Sequence, residues 1–301
     1  MMLNLLDDHS VYDELFLKRT VRALSGLGIR CAPLTWDRIK SWAQQFEEGP
    51  ERALAWLILR SLVFRTSEQL ESSFRQALKA AVQNFGENSL GSKEFSWRQI
   101  LTGEIGGMTI YCGPPAVSST IPGKSGELMA RMAHQAFGMT KWYPNEVGEL
   151  QENERFLLVD DATFTGVQMA TFLDSAPHLT SAGGRVAIAV AIGHETAIGA
   201  LSARFPQIPL FCGEYMTDVH CFERQAKYWV DKKFWPYIEI SPVDVYKATC
   251  DKHGLSDNQK EYYGFGNLGV MVAYAHGIPD DSLSLLWKKS STWEPLIERV
   301  K

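Results

Sequence analysis

The sequence predicts an α/β fold, a parallel sheet with flanking helices over residues 95–301, preceded by an all-α helical domain over residues 1–90. Three observations lead there. Up to about residue 90 the apolar residues recur at helical spacing. Beyond Met108, short continuous apolar runs alternate with helix-like stretches, the order expected of a parallel sheet. Between the two parts, residues 84–93 are rich in Gly, Asn and Ser and read as a linker.

In the first part, Thr35 is placed to cap a helix from Trp36 to about Phe46, which Gly49-Pro50 would end. The stretch ERALAWLILRSLVF, residues 51–64, is apolar nearly all round and predicts a buried helix. Thr66 and Gln69 have capping-box spacing and open a third helix to about Val82, with Leu70, Phe74 and Leu78 along one face. No chemistry-bearing group recurs here. This part reads as a helical cap, a dimerisation element that would make the protein a homo-oligomer, or a partner-docking module.

In the second part, Met108–Gly113 (MTIYCG) is strand-like and Gly126–Phe137 helix-like. Leu150–Asp160 predicts a strand, and Gln168–Ser175 the helix that follows it. Arg185–Ile192 (RVAIAVAI) predicts a strand buried on both faces, and residues 268–274 (LGVMVAY) a late strand.

The chemistry concentrates in FLLVDDATFTGVQMATFL, residues 156–173. Four apolar residues run into adjacent acids, Asp160 and Asp161, then into a short loop, Ala162, Thr163, Phe164, Thr165 and Gly166, and then into a helix. Ligands of open α/β sheets bind beyond the carboxyl ends of the strands, where these acids stand. Two neighbouring carboxylates accept hydrogen bonds from a vicinal diol, and a loop leading into a helix N-terminus favours a phosphate. A diol and a phosphate a few ångströms apart describe ribose 5-phosphate. Other two-acid sites, such as that of a magnesium phosphohydrolase, and a plain strand–loop–helix corner use the same residue types.

The segment resembles the ribose-phosphate motif of the type I phosphoribosyltransferases, which bind 5-phosphoribosyl 1-pyrophosphate (PRPP) with magnesium. The resemblance implies that Asp160 and Asp161 hold the ribose hydroxyls, directly or through Mg2+, and that residues 162–166 hold the 5′-phosphate. Phe164 stands where a small hydroxyl residue is common, and Gln168 where Thr or Ser often contacts the phosphate. In that family a loop after the first sheet strand binds pyrophosphate. Here PPAVSSTIPGKSG, residues 114–126, offers Lys124, Ser125 and Gly126 for that role, or else is a surface loop with a Ser N-cap. Lys141 and Arg155 are further basic candidates, and His194-Glu195 closes the RVAIAVAI strand at the same sheet edge.

The tail, residues 264–293, carries His276, Pro279, Asp280, Asp281, Leu283, Leu286 and Trp287. With the acid-pair motif, it is similar to a bacterial phosphoribosyltransferase-like group of conflict and phage-defence systems, some members of which neighbour retron reverse transcriptases. The resemblance implies a toxin effector held by a reverse transcriptase and its non-coding RNA or msDNA. His276, at the end of the late strand, is a catalytic acid or base candidate, or else caps a turn. A non-catalytic module that senses PRPP or a nucleotide is the alternative. Trp287 and Trp293 read as packing aromatics of a core or interface, with base stacking as the alternative.

Composition bounds the rest. The net charge of −5 gives no overall basic footprint for nucleic acid. Five scattered cysteines with no CxxC pair predict reduced thiols and a cytoplasmic protein. MMLNLLDDHS lacks the basic start and apolar core of a signal peptide, and no apolar run approaches membrane-spanning length.

Overall fold

A computed structural model describes residues 10–90, 95–104, 107–116, 125–142, 148–256 and 261–298. Its strands are β1 (Val63–Arg65), β2 (Thr109–Gly113), β3 (Thr140–Lys141), β4 (Glu154–Thr163), β5 (Val186–His194), β6 (Leu210–Met216) and β7 (Val272–Tyr274). The chain forms two compact units, residues 1–67 with 218–301, and residues 68–217.

The second unit holds a five-stranded sheet in the order β3-β2-β4-β5-β6, with every pairing parallel. Helices including Ser125–Phe137, Val167–Ser175 and Glu195–Arg204 connect the strands. This is the mixed α/β architecture that the alternating pattern predicts. β4 and β5 are central, and all nine residues of β5 are buried, which is why this strand is written as an unbroken apolar run.

Helix Ser67–Leu90 runs through the stretch that reads as a linker in the sequence. Packing explains the difference. Phe85 is fully buried, and a Cβ on Gly86 would stand 2.3 Å from Ile100 Cδ1. Gly86 is thus a close-contact position, where burial outweighs the poor helix propensity of Gly and Asn. Nearer its start, the helix meets β6. Ser73 Oγ donates to Glu214 Oε1 at 2.6 Å, and a Cβ on Gly213 would fall 1.9 Å from the Ser73 carbonyl oxygen.

The first unit joins the N-terminal helices to the C-terminal part of the chain, so a boundary near residue 90 falls inside the second unit. One core contains Leu17, Trp42, Phe46 and Leu57 from the N-terminal segment, and Phe222, Trp229, Tyr246 and Trp293 from the later one. Trp293 packs edge-on against Phe46 and Trp42, at 4.9 and 6.0 Å. Both indole N–H groups donate to the Leu285 carbonyl, at 3.1 and 2.9 Å. Helix Pro50–Ser61 stops three residues before the end of the apolar run 51–64, because Val63–Arg65 pairs in parallel with β7. The late strand is likewise short, Val272–Tyr274. No helix among the described residues is long and apolar enough to cross a membrane.

Candidate active site

β4 delivers the acid pair. It continues three residues beyond Asp160, since Asp160 pairs with Val190, Ala162 with Ile192 and Thr163 with Gly193. Ala162 and Thr163 are therefore strand residues, and the turn into helix Val167–Ser175 shrinks to Phe164, Thr165 and Gly166. Partner availability decides this. β5 extends to His194, so the β4 backbone finds hydrogen-bond partners past the polar residues where the apolar run ends.

Both carboxylates are buried, Asp160 at 5% and Asp161 at 8% exposure. Asp160 Oδ1 accepts from Ser125 Oγ at 2.8 Å and from the Asp161 amide at 2.9 Å. Asp161 Oδ1 accepts from the Ala162 amide at 2.8 Å. Burial pushes the Asp160 carboxyl well above the usual carboxylate range, and the adjacent Asp161 raises it further, against the Ser125 hydrogen bond. Two like charges sharing a dry site call for a shared proton, a cation or a donor pair such as a diol. Magnesium is commonly held by one or two carboxylates together with ligand phosphates, so this donor set fits the ion in company with a phosphorylated ligand. Among the described residues no group of three or more His, Cys, Asp or Glu side chains is arranged to hold a metal.

Two helix N-termini meet this strand end. Gly166 caps helix Val167–Ser175 in a left-handed conformation, φ 77°, and no side chain caps that helix. Its first-turn N–H groups therefore favour an anion. Thr165 Oγ1 accepts weakly from the Val167 amide at 3.5 Å, and Phe164 is buried. The other helix, Ser125–Phe137, begins against the strand: a Cβ on Gly126 would lie 3.1 Å from the Val159 carbonyl oxygen. Ser125 and Gly126 thus stand beside Asp160. Lys124 lies outside the described residues.

The other candidates have these surroundings. Lys141 forms an ion pair with Glu127. Arg155 sits near the opposite end of β4, about 16 Å from Asp160 by strand rise, and its Nη1 donates to the Glu152 and Glu154 carbonyls at 2.7 and 2.8 Å. His194 is buried, and its Nδ1 accepts from the Thr196 amide at 3.2 Å, capping helix Glu195–Arg204. His276 belongs to the first unit, where it lies in the turn closed by the Tyr274–Gly277 backbone bonds and stacks on Tyr274 at 5.1 Å. The segment around it is largely core: Leu283 and Leu286 are fully buried, and Trp287 Nε1 donates to the Ser282 carbonyl at 3.0 Å.

Ser125, a pyrophosphate candidate from its sequence position, donates its hydroxyl to Asp160, 35 positions away. The local signal shared with that contact is only a Ser at a helix start.

No curated protein matches the chain. Among solved structures, the orotate phosphoribosyltransferase from Aeropyrum pernix is similar over 43% of this chain and 75% of its own, with 22% identity and a TM-score of 0.24. The AQ2163 protein from Aquifex aeolicus is similar over 62% of this chain and 86% of its own, with 10% identity and a TM-score of 0.29. The PRTase-CE family profile matches residues 39–299, nearly the whole chain and both compact units. The chain belongs to the PRTase-CE family and is a phosphoribosyltransferase-like enzyme.

Proposed function

We propose that the chain binds PRPP at the Asp160–Asp161 pair and transfers its phosphoribosyl group, as the effector of a bacterial antiphage system such as a retron. The observation that carries the chemical part is the buried acid pair between two helix N-termini at the carboxyl end of a central parallel strand. In this reading the two carboxylates hold the ribose 2′,3′-hydroxyls, and the Gly166 helix N-terminus takes the 5′-phosphate. Ser125 is a positioning residue, which orients Asp160 and favours its ionised form. The bond from the anomeric carbon to pyrophosphate breaks, with the electron pair leaving on pyrophosphate. A new bond to that carbon forms from a nucleophile of the acceptor. Magnesium bound with PRPP would supply charge neutralisation of the leaving pyrophosphate. Lys124 is assigned to the same task from its place in the sequence, and His276 stands as a candidate acid or base.

The defence role rests on the resemblance of the tail and the acid-pair motif. It brings a reverse transcriptase with its RNA or msDNA as the expected partner; the scattered cysteines make the cytoplasm the expected location. Calorimetric titration with PRPP, with and without Mg2+, tests the chemical part. Magnesium-dependent binding that disappears in Asp160→Asn/Asp161→Asn supports it, and no PRPP binding in the native protein refutes it. Cell death caused by the isolated protein and abolished by the same double substitution supports the effector role.

A second reading, a sensor that binds PRPP or a nucleotide without turnover, is favoured by one feature. β4 extends to Thr163 and Phe164 is buried, so the phosphate-binding turn is short. Release of pyrophosphate with a candidate acceptor separates enzyme from sensor.

A further inference from the structure

Within the first unit lies a recess of about 450 Å³ lined by Arg22, Ser25, Arg30, Cys31, Thr35 and Trp36 among others. It opens between the end of helix Glu14–Gly26 and the start of helix Trp36–Ala43. Arg30 is 3% exposed. Its Nη2 donates to the Leu59 and Leu62 carbonyls, at 2.6 and 2.9 Å, at the C-terminal end of helix Pro50–Ser61. Nη1 is buried with no hydrogen-bond partner, and so is Ser25 Oγ. Burial pushes the guanidinium down to about 10. The helix-end carbonyls offset part of its charge. A buried cation with one nitrogen that finds no acceptor is costly, and an anion beside it removes that cost. A second cation, Arg22, stands 5.8 Å over the Trp36 ring, which in turn stacks on Trp56. Trp36 and Ala32 give the same recess an apolar wall.

We propose that this recess binds a small metabolite carrying a phosphate or carboxylate on an apolar ring body, with its oxyanion beside Arg30, Arg22 and Ser25 and its ring against the apolar wall. The site is independent of the acid pair and of the reaction proposed there. It would let a metabolite be read by the helical part of the chain.

Cys31 provides a local readout, since it is half-buried and lines the recess, whereas Cys112, Cys221 and Cys250 are buried. The rate of Cys31 alkylation by iodoacetamide is followed in the full chain by peptide mass spectrometry, with adenosine monophosphate, benzoate or inorganic phosphate added. Adenosine monophosphate or benzoate should slow the reaction about tenfold at roughly ten times its Kd, with the half-buried Cys212 unaffected. Protection by the first alone assigns the oxyanion as phosphate, and by the second alone as carboxylate; either supports the proposal. Protection should vanish in Arg30→Met and weaken in Arg22→Ala, and it should persist in Asp160→Asn/Asp161→Asn. Because Arg30 also ties down a helix end, the exposed Arg22 decides the matter where Arg30→Met does not fold. The proposal falls if no probe protects, if Arg22→Ala protects undiminished, or if inorganic phosphate protects as well as adenosine monophosphate.

Discussion

Replacing Gly166 by Ala tests the geometry on which the phosphate end of the site depends. Gly166 sits at φ 77°, ψ −4°, as the cap of helix Val167–Ser175. A left-handed conformation costs an L-residue about 1–2 kcal/mol. The added Cβ would stand 3.2 Å from Ala197 Cα and 3.3 Å from Leu201 Cγ, tight contacts with a packed helix that add a cost of about 1 kcal/mol. The smaller entropy of the unfolded chain returns about 0.4–1 kcal/mol, leaving a net loss of about 1–2.5 kcal/mol. Gly199→Ala is the matched control. It lies inside helix Glu195–Arg204, is exposed, and its Cβ meets nothing within 4 Å. That substitution should stabilise by about 0.5–1 kcal/mol. The unfolded-state contribution is common to both, so the two variants should differ by about 2–3 kcal/mol with opposite signs. Urea denaturation followed by far-ultraviolet circular dichroism reads this as opposite shifts of midpoint at unchanged slope. Should Gly166→Ala gain stability as Gly199→Ala does, the left-handed cap is wrong, and with it the open helix N-terminus assigned to the 5′-phosphate.

Other substitutions follow from the same geometry. Asp160 has its folded pKa raised, so the stability linked to its protonated form is present below about pH 4 and is lost as pH rises through the raised value. Asp160→Asn removes that loss; its urea midpoint should exceed the native one by a margin that widens with pH, while Mg-PRPP binding disappears, and a margin constant with pH contradicts the burial argument. Ser125→Ala deletes a hydrogen bond to a charged group, worth about 1.5–3 kcal/mol, and should weaken Mg-PRPP binding by roughly tenfold or more, with a loss that shrinks at higher pH as Asp160 ionises unaided; calorimetry across pH measures both. Gly213→Ala drives a Cβ to 1.9 Å from the Ser73 carbonyl oxygen, a backbone atom that cannot swing aside, and should cost about 3 kcal/mol or more, read as a lowered thermal midpoint; a stability equal to native would place helix Ser67–Leu90 farther from β6.

The strand-acid-acid-turn-helix order and the parallel sheet around it are legible in the residues alone. A strand buried on both faces writes itself as a continuous apolar run, and the polar residues that end the run mark the sheet edge where ligands sit. Other elements depend on contacts that no local pattern encodes. The stretch 84–90 has a linker's composition, yet it is helical because Phe85 is buried and Gly86 packs against Ile100, a contact 14 positions away. Ala162 and Thr163 look like loop, yet they are strand because β5 extends alongside to pair with them. Long-range packing sets Ser125 against Asp160 and leaves Arg30 buried beside an open recess with a donor unspent. It alone decided that the N-terminal helices share one core with Phe222, Tyr246 and Trp293. Hydrophobicity marks which residues leave water, but being non-directional it does not say against which partner they pack, and that choice is made only when the distant segments meet.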